Sequence, residues 1–211
     1  MYLAEMKGKL SPSEERKEDI LTSNVFSFFK YANREIFLYQ LIKSLGLDIK
    51  PSDAEKAQFD FWPTFEDGTE PDVVIIVGKY YLVFEAKLFS SFGTGIDSTE
   101  HQLIREYMGG SLEARNLHKT FKLIAVTAHY SKHKFLEEIA DISHKDIIWL
   151  NWHQIALLIY KTIENESALD LETYCFAEDL YNLLVMKNLR KYAGKEIRHL
   201  ISLVYVQAII V

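Results

Sequence analysis

The chain has 211 residues, 48% of them hydrophobic and 26% charged, a balance that excludes a disordered or fibrous chain and suffices for one domain with a sizeable core. Its net charge of −6 argues against a surface coated for nucleic-acid binding, whose footprint is usually basic, while leaving room for a local basic groove. A single cysteine, Cys175, allows no disulfide within the chain, so a reducing, cytoplasmic setting is expected. The polar N-terminus MYLAEMKGKLSPSEERKEDI has no apolar core of signal-peptide length, and the longest apolar run, LISLVYVQAIIV at the C-terminus, is too short to span a bilayer. No membrane partner is expected, and the tail reads as a buried strand or an association surface.

In chain order, Ser11-Pro12-Ser13-Glu14 reads as a helix start, with Ser11 the N-cap, Pro12 in the first turn and Glu14 closing a capping box. Ile20, Leu21, Val25, Phe28 and Phe29 then recur at helical spacing. A second helical stretch, Arg34 to Leu45, ends at Gly46, a C-cap residue. PSDAEKAQ reads as loop. Phe59 to Phe65 reads as a strand that Pro63 assigns to an edge or a bend. The run from Glu70 to Leu88, EPDVVIIVGKYYLVFEAKL, gives two strands, Asp72–Val77 and Tyr80–Lys87. Thr99 to Arg115 is a predicted helix, Phe121 to His129 a buried strand and SKHKFLEEIAD a short helix. DIIWLNW is a further strand, HQIALLIYKTIENE a helix, and Leu169 to Tyr192 a longer helix. The order is one of an α/β sandwich with a mixed central sheet flanked by helices. The whole chain reads as a single domain, residues 1–211, with an N-terminal helical region at 12–46 and a C-terminal helical extension at 153–211.

The charges in the apolar run carry the chemistry. Gly78-Lys79 fits a two-residue hairpin loop, and glycine at the first central position suits a type II′ turn. That turn sets Val77 against Tyr80, Ile75 against Leu82, and Asp72 against Glu85. Directly opposed side chains have Cβ atoms roughly 4.5–5.5 Å apart, and Lys87, two residues past Glu85, points to the same face. Taken singly, an Asp before a strand can cap a turn and a Glu-x-Lys can form a surface ion pair. In this register two carboxylates meet at the open end of a buried sheet. Their repulsion calls for a positive partner, supplied in part by Lys87 and in part by a divalent cation such as Mg2+.

Pro71-Asp72 followed by Glu85-Ala86-Lys87, after a helix and a strand, resembles the PD-(D/E)XK nuclease superfamily, with its restriction-endonuclease-like α-β-β-β-α-β core. The resemblance runs from about Glu18 to Trp152, and EDILTSNVF looks like the N-terminal segment of uncharacterised defence-type members. It implies a three-layer sandwich and a phage-defence or similar cytoplasmic enzyme. The implied activity is Mg2+- or Mn2+-dependent hydrolysis of phosphodiester bonds, of double-stranded DNA in particular. It implies that Asp72, Glu85 and the Ala86 carbonyl hold the metal while Lys87 acts on the attacking water. A first-helix glutamate near the metal is implied as well, Glu18 or its rival Glu35. On the helix after the lysine strand, Gln102 is the residue carried over to the site. Tyr107, five residues on, falls off its face, and Glu106 takes the four-residue place. Arg105 shares the face of Gln102 and could meet a phosphate.

The remaining candidates point elsewhere. His129 and His133 have a zinc-like spacing without a third ligand. Cys175, in an apolar helical context, reads as a buried structural thiol. FGTG at 92–95 lacks the ending of a phosphate-cradling loop and reads as a loop at the mouth of the site. Trp149 and Trp152 read as core. The basic stretches LHKTFK, HYSKHK and KNLRKYAGKEIRH read as solvated faces or the wall of a groove. The resemblance leaves a homodimer, one site per strand of DNA, as a possible assembly, with the apolar C-terminal tail as its candidate surface. Two other readings stand beside the nuclease: a catalytically inactive nucleic-acid-binding or regulatory protein on the same fold, and a hydrolase using Asp72 and Glu85 as an acid–base pair.

Overall fold

Every residue from Tyr80 to Ala86 is buried, because this strand lies in the middle of the sheet and has helices over both its faces. The structure is a computed structural model that describes Met6, Lys7, Lys9 and residues 18–88, 92, 102–128, 146–167 and 169–189. In chain order the elements from Glu18 onward are helices α1 (Glu18–Tyr31), α2 (Phe37–Ser44) and α3 (Pro51–Glu55), strands β1 (Gln58–Phe61), β2 (Val73–Val77) and β3 (Tyr80–Ala86), helix α4 (Gln102–Asn116), strands β4 (Thr120–Thr127) and β5 (Ile147–Asn151), and helices α5 (Trp152–Asn165) and α6 (Leu171–Met186). The sheet order follows the chain order, β1 to β5. β1, β2 and β3 pair antiparallel, while β3, β4 and β5 pair parallel. The sheet is therefore mixed and open, and the chain is α/β.

Strand alternation sorts the core into two layers. Ile75, Leu82, Phe84 and Ile124 join a cluster with residues of α1, α2, α5 and α6. There Phe84 meets Phe26 edge-on at 4.9 Å between ring centroids. On the opposite face Val74, Val83, Leu123 and Ala125 pack with Leu103 and Ala114 of α4. Helices thus cover both faces, an arrangement compatible with a three-layer sandwich. Among the described residues no helix is long and apolar enough to cross a membrane.

The hairpin follows the expected register: Val77 pairs with Tyr80, and Ile75 with Leu82. Gly78 has a φ of +54° and Lys79 does not share the left-handed sign, as a type II′ turn requires. Gly46, at φ +76°, follows the end of α2 in the left-handed conformation expected of a helix stop. Several boundaries differ. Residues 33–36 form a turn before α2 rather than its first turn. PSDAE is a short helix instead of loop, because the Asp53 carboxylate accepts from the Lys50 N–H at 2.9 Å while Pro51 supplies a preset φ. β1 ends at Phe61 rather than Phe65, since Trp62 turns to a φ of +51°; it does lie at the sheet edge. α5 begins at Trp152 because Asn151 and Gln154 cap it reciprocally: the Gln154 N–H reaches Asn151 Oδ1 at 2.7 Å, and the Asn151 N–H reaches Gln154 Oε1 at 2.9 Å. Cys175 is exposed on α6 rather than buried. The predicted capping box at Ser11–Glu14, the short helix after Ser131, His129, His133, residues 93–95 and the C-terminal tail lie outside the described residues.

Candidate functional site

The hairpin register continues one step past its last paired residues, Val73 and Phe84, and this step sets Asp72 across from Glu85. Glu85 is 1% exposed. Its Oε1 is held twice, by the Lys87 ammonium at 2.6 Å and by the Gln102 side-chain amide, also at 2.6 Å. Asp72 Oδ2 accepts the Ala86 N–H at 2.8 Å. The expected set of Asp72, Glu85, Lys87 and Gln102 is therefore gathered in one place.

Pro71 explains part of this geometry. The Lys87 N–H donates to the Val126 carbonyl at 2.8 Å, so Lys87 turns its main chain toward β4, and Ala86 turns its own toward β2. The register puts Pro71 opposite Ala86, and proline has no N–H to give. The ladder cannot close there. The Asp72 side chain takes up the Ala86 N–H, and no ladder donor faces the Ala86 carbonyl, the backbone oxygen expected to hold a metal.

Glu18 stands at the edge of the cluster, where its Oε2 accepts from the Leu88 N–H. The rival, Glu35, is exposed and lines a surface cavity of about 470 Å3 with Lys30, Arg34 and Glu55. Arg105 is exposed on α4. Tyr107 turns away from the site, its hydroxyl donating to Asp146 at 3.2 Å.

Two residues that sequence reasoning did not assign to the site, Glu106 and Trp152, belong to its surroundings, as does Phe92 of the stretch expected at its mouth. Glu106, one turn after Gln102, is 0% exposed. Among the described residues, neither of its carboxyl oxygens nor Glu85 Oε2 has a hydrogen-bond partner in good geometry, although the Glu106 carboxyl lies near enough to Glu85 and Gln102 for both side chains to act on its proton. The glycines at 109 and 110 let α4 come this close: a Cβ at Gly110 would lie 2.7 Å from the Phe121 ring and 2.8 Å from a Val83 methyl. The paired glycines inside a helix were the available signal. Trp152 donates its indole N–H to the Lys87 carbonyl at 3.1 Å, and the N-x-x-Q capping box around it was legible as a helix start. The Phe92 ring lies 5.9 Å from the Lys87 ammonium.

The electrostatics follow from burial. Burial first, then the Glu85 charge, raises Asp72 from 3.8 to about 7, with Asp19 adding and the Ala86 N–H and Lys87 opposing. Burial and the Glu85 carboxyl push Glu106 well above the ordinary carboxylate range, which favours the acid form; its O–H is the natural partner for the orphaned oxygen of Glu85. For Lys87, burial pulls downward, but the charge and hydrogen bond of Glu85, with Asp72 and Glu18, outweigh it and the net shift is upward. Lys87 stays an ammonium.

Among the described residues no three acidic, histidine or cysteine side chains converge as a ready-made metal site. What the cluster offers is two carboxylates and a backbone oxygen. That is a hard-oxygen donor set, and one that suits Mg2+, which commonly takes one or two carboxylates and keeps several waters. Glu18 is not brought to the same point. Comparison of the chain with protein-family models, with curated proteins and with solved structures finds no match.

Proposed function

We propose that the chain is a divalent-metal-dependent nuclease of PD-(D/E)XK type, with a restriction-endonuclease-like fold, that hydrolyses phosphodiester bonds in DNA. The observation that supports it most is the hairpin register, which sets Asp72 across from a buried Glu85 that Lys87 and Gln102 both hold. A buried Glu85 facing a half-buried Asp72 with one ammonium between them is electrostatically incomplete, and it is costly to keep without a function for it.

Asp72, Glu85 and the Ala86 carbonyl would hold Mg2+ or Mn2+, which when bound polarises a phosphoryl oxygen and acidifies a water. Lys87, kept protonated, serves as a cation that orients the nucleophile or neutralises developing charge, rather than as a proton acceptor. Gln102 fixes the carboxylate of Glu85 by holding one of its oxygens, and Glu18 steadies the strand end at Leu88.

Plasmid and linear DNA incubated with Mg2+, Mn2+ or EDTA provide the test, with wild type beside Asp72→Ala and Lys87→Ala. Cutting that needs the metal and disappears in both folded variants is the expected result. Cutting that persists in EDTA, or in folded Asp72→Ala, would remove this reading.

A further inference from the structure

Arg105 occupies a position that helix stability does not favour. It is exposed in the first turn of α4 as described from Gln102. The N-terminal end of a helix carries partial positive charge, so a carboxylate is stabilising there and a cation is not. No acidic side chain lies in this turn, and among the described residues Arg105 has no ion pair. Arg115, the other arginine of α4, lies in the last turn, where the same dipole favours it.

The neighbours of Arg105 fix where it stands. Gln102, three residues before it, donates to Glu85 at 2.6 Å. Glu106, the next residue, has its carboxyl close to Glu85 and Gln102. The turn that carries Arg105 is therefore the one laid against the carboxylates, with Glu106 on its buried side and Arg105 on its solvent side. Residues three apart on a helix have Cβ atoms roughly 5–6 Å apart, so Arg105 stands beside Gln102 at the lip of the cluster.

A polyanion needs a cation at that lip. Beyond Asp72 and Glu85, Asp19 lies near enough to act on Asp72, and Glu18 near enough to act on Lys87. A divalent metal would offset two of these charges, and Lys87 is already committed to Glu85 at 2.6 Å. On the hairpin and α4 the other described cations are Lys79, at the turn away from the acids, Arg115, at the far end of the helix, and Arg105. Of these three, Arg105 is the one beside the cluster.

We propose that Arg105 binds the phosphate next to the scissile one on duplex DNA and so positions the strand over the carboxylates. The inference rests on the nuclease reading and adds to it a positioning residue on α4. The guanidinium fork matches phosphate oxygens, and a phosphate neutralised in this way releases its counterions.

Binding of a labelled duplex is measured without cutting, in EDTA, by fluorescence anisotropy over a range of salt concentrations. Arg105→Ala should flatten the slope of log affinity against log salt by about 0.9, the share of one phosphate, and weaken binding roughly 10-fold at about 50 mM salt. Arg105→Lys should keep the slope. Lys161→Ala removes an exposed charge from α5, on the other face of the sheet, and should leave the slope unchanged. Removing a cation from the first turn should not lower the melting temperature, so a loss of binding in Arg105→Ala does not come from unfolding. The proposal is overturned if wild type does not bind the duplex, or if Arg105→Ala keeps the wild-type slope. It is overturned as well if Arg105→Lys or Lys161→Ala loses as much as Arg105→Ala. Metal-dependent cutting with an unchanged slope in Arg105→Ala would leave the nuclease reading standing and this one refuted. A slope that depends on Arg105 without any metal-dependent cutting would keep Arg105 as a DNA contact and remove the nuclease reading.

Discussion

Replacing Asp72 by asparagine should make the protein more stable in alkaline solution and no more stable in acid. Asparagine fills the same volume, and its side-chain oxygen can still accept the Ala86 N–H that Asp72 holds at 2.8 Å. What it lacks is the charge. Asp72 is raised from 3.8 to about 7 in the folded protein. Its contribution is therefore complete below the unfolded value, and stability is lost as the pH rises through the folded one. Linkage gives the size, under about 1 kcal/mol at pH 4, about 2 at pH 5 and about 4 at pH 8. Urea unfolding of wild type and Asp72→Asn in EDTA at those three pH values reads the difference directly. The gap should open between pH 4 and pH 8, and saturating Mg2+ at pH 8 should narrow it, since only wild type keeps the carboxylate. A gap that does not change with pH, or a variant less stable than wild type at pH 8, would show that Lys87 and the Ala86 N–H already compensate the charge. The electrostatic argument for a missing cation would then fail.

Other perturbations address the same cluster. Lys87→Ala leaves Glu85 buried without its ammonium and should cost about 3–5 kcal/mol in chemical denaturation. Glu106→Gln removes a carboxyl that burial opposes and should raise the melting temperature at pH 8 more than at pH 5, as differential scanning calorimetry would record. Gly110→Ala forces a methyl to 2.7 Å from Phe121 and 2.8 Å from Val83. It should lose about 1–3 kcal/mol to overpacking despite the better helix propensity of alanine, and weaken Mg2+ binding in calorimetry as Gln102 retreats from Glu85.

The hairpin was legible because a two-residue turn leaves no freedom in register: once Gly78 is placed at the turn, Asp72 must face Glu85. Gln102 was legible through the family resemblance alone, and helical arithmetic served only to reject Tyr107. Glu106 met the same arithmetic but not the environment. A glutamate in a helix reads as solvated, and only the close approach at Gly109 and Gly110 buries it. The Trp152 bond to the Lys87 carbonyl spans 65 residues, beyond anything local pattern can report. Helix α3 shows the converse error, where a proline and an aspartate were read as loop punctuation although they also start helices. Cys175 was misplaced because apolar neighbours in sequence do not reveal which side of α6 faces the core, and the thiol lies on the outer side.

The bond between Trp152 and Lys87 also bears on how the protein is made. Strand β3 leaves the ribosome with its acids in place, but its last carbonyl waits for an indole 65 residues downstream, which at ordinary elongation rates emerges about 3–13 s later. β4, which flanks β3 on the side away from the hairpin, and the glycine-paired helix that presents Gln102 arrive within the same interval. The cluster therefore lacks its full frame until Trp152 has been synthesised, and a fragment truncated before Trp152 carries the acids without the bond that holds the end of their strand.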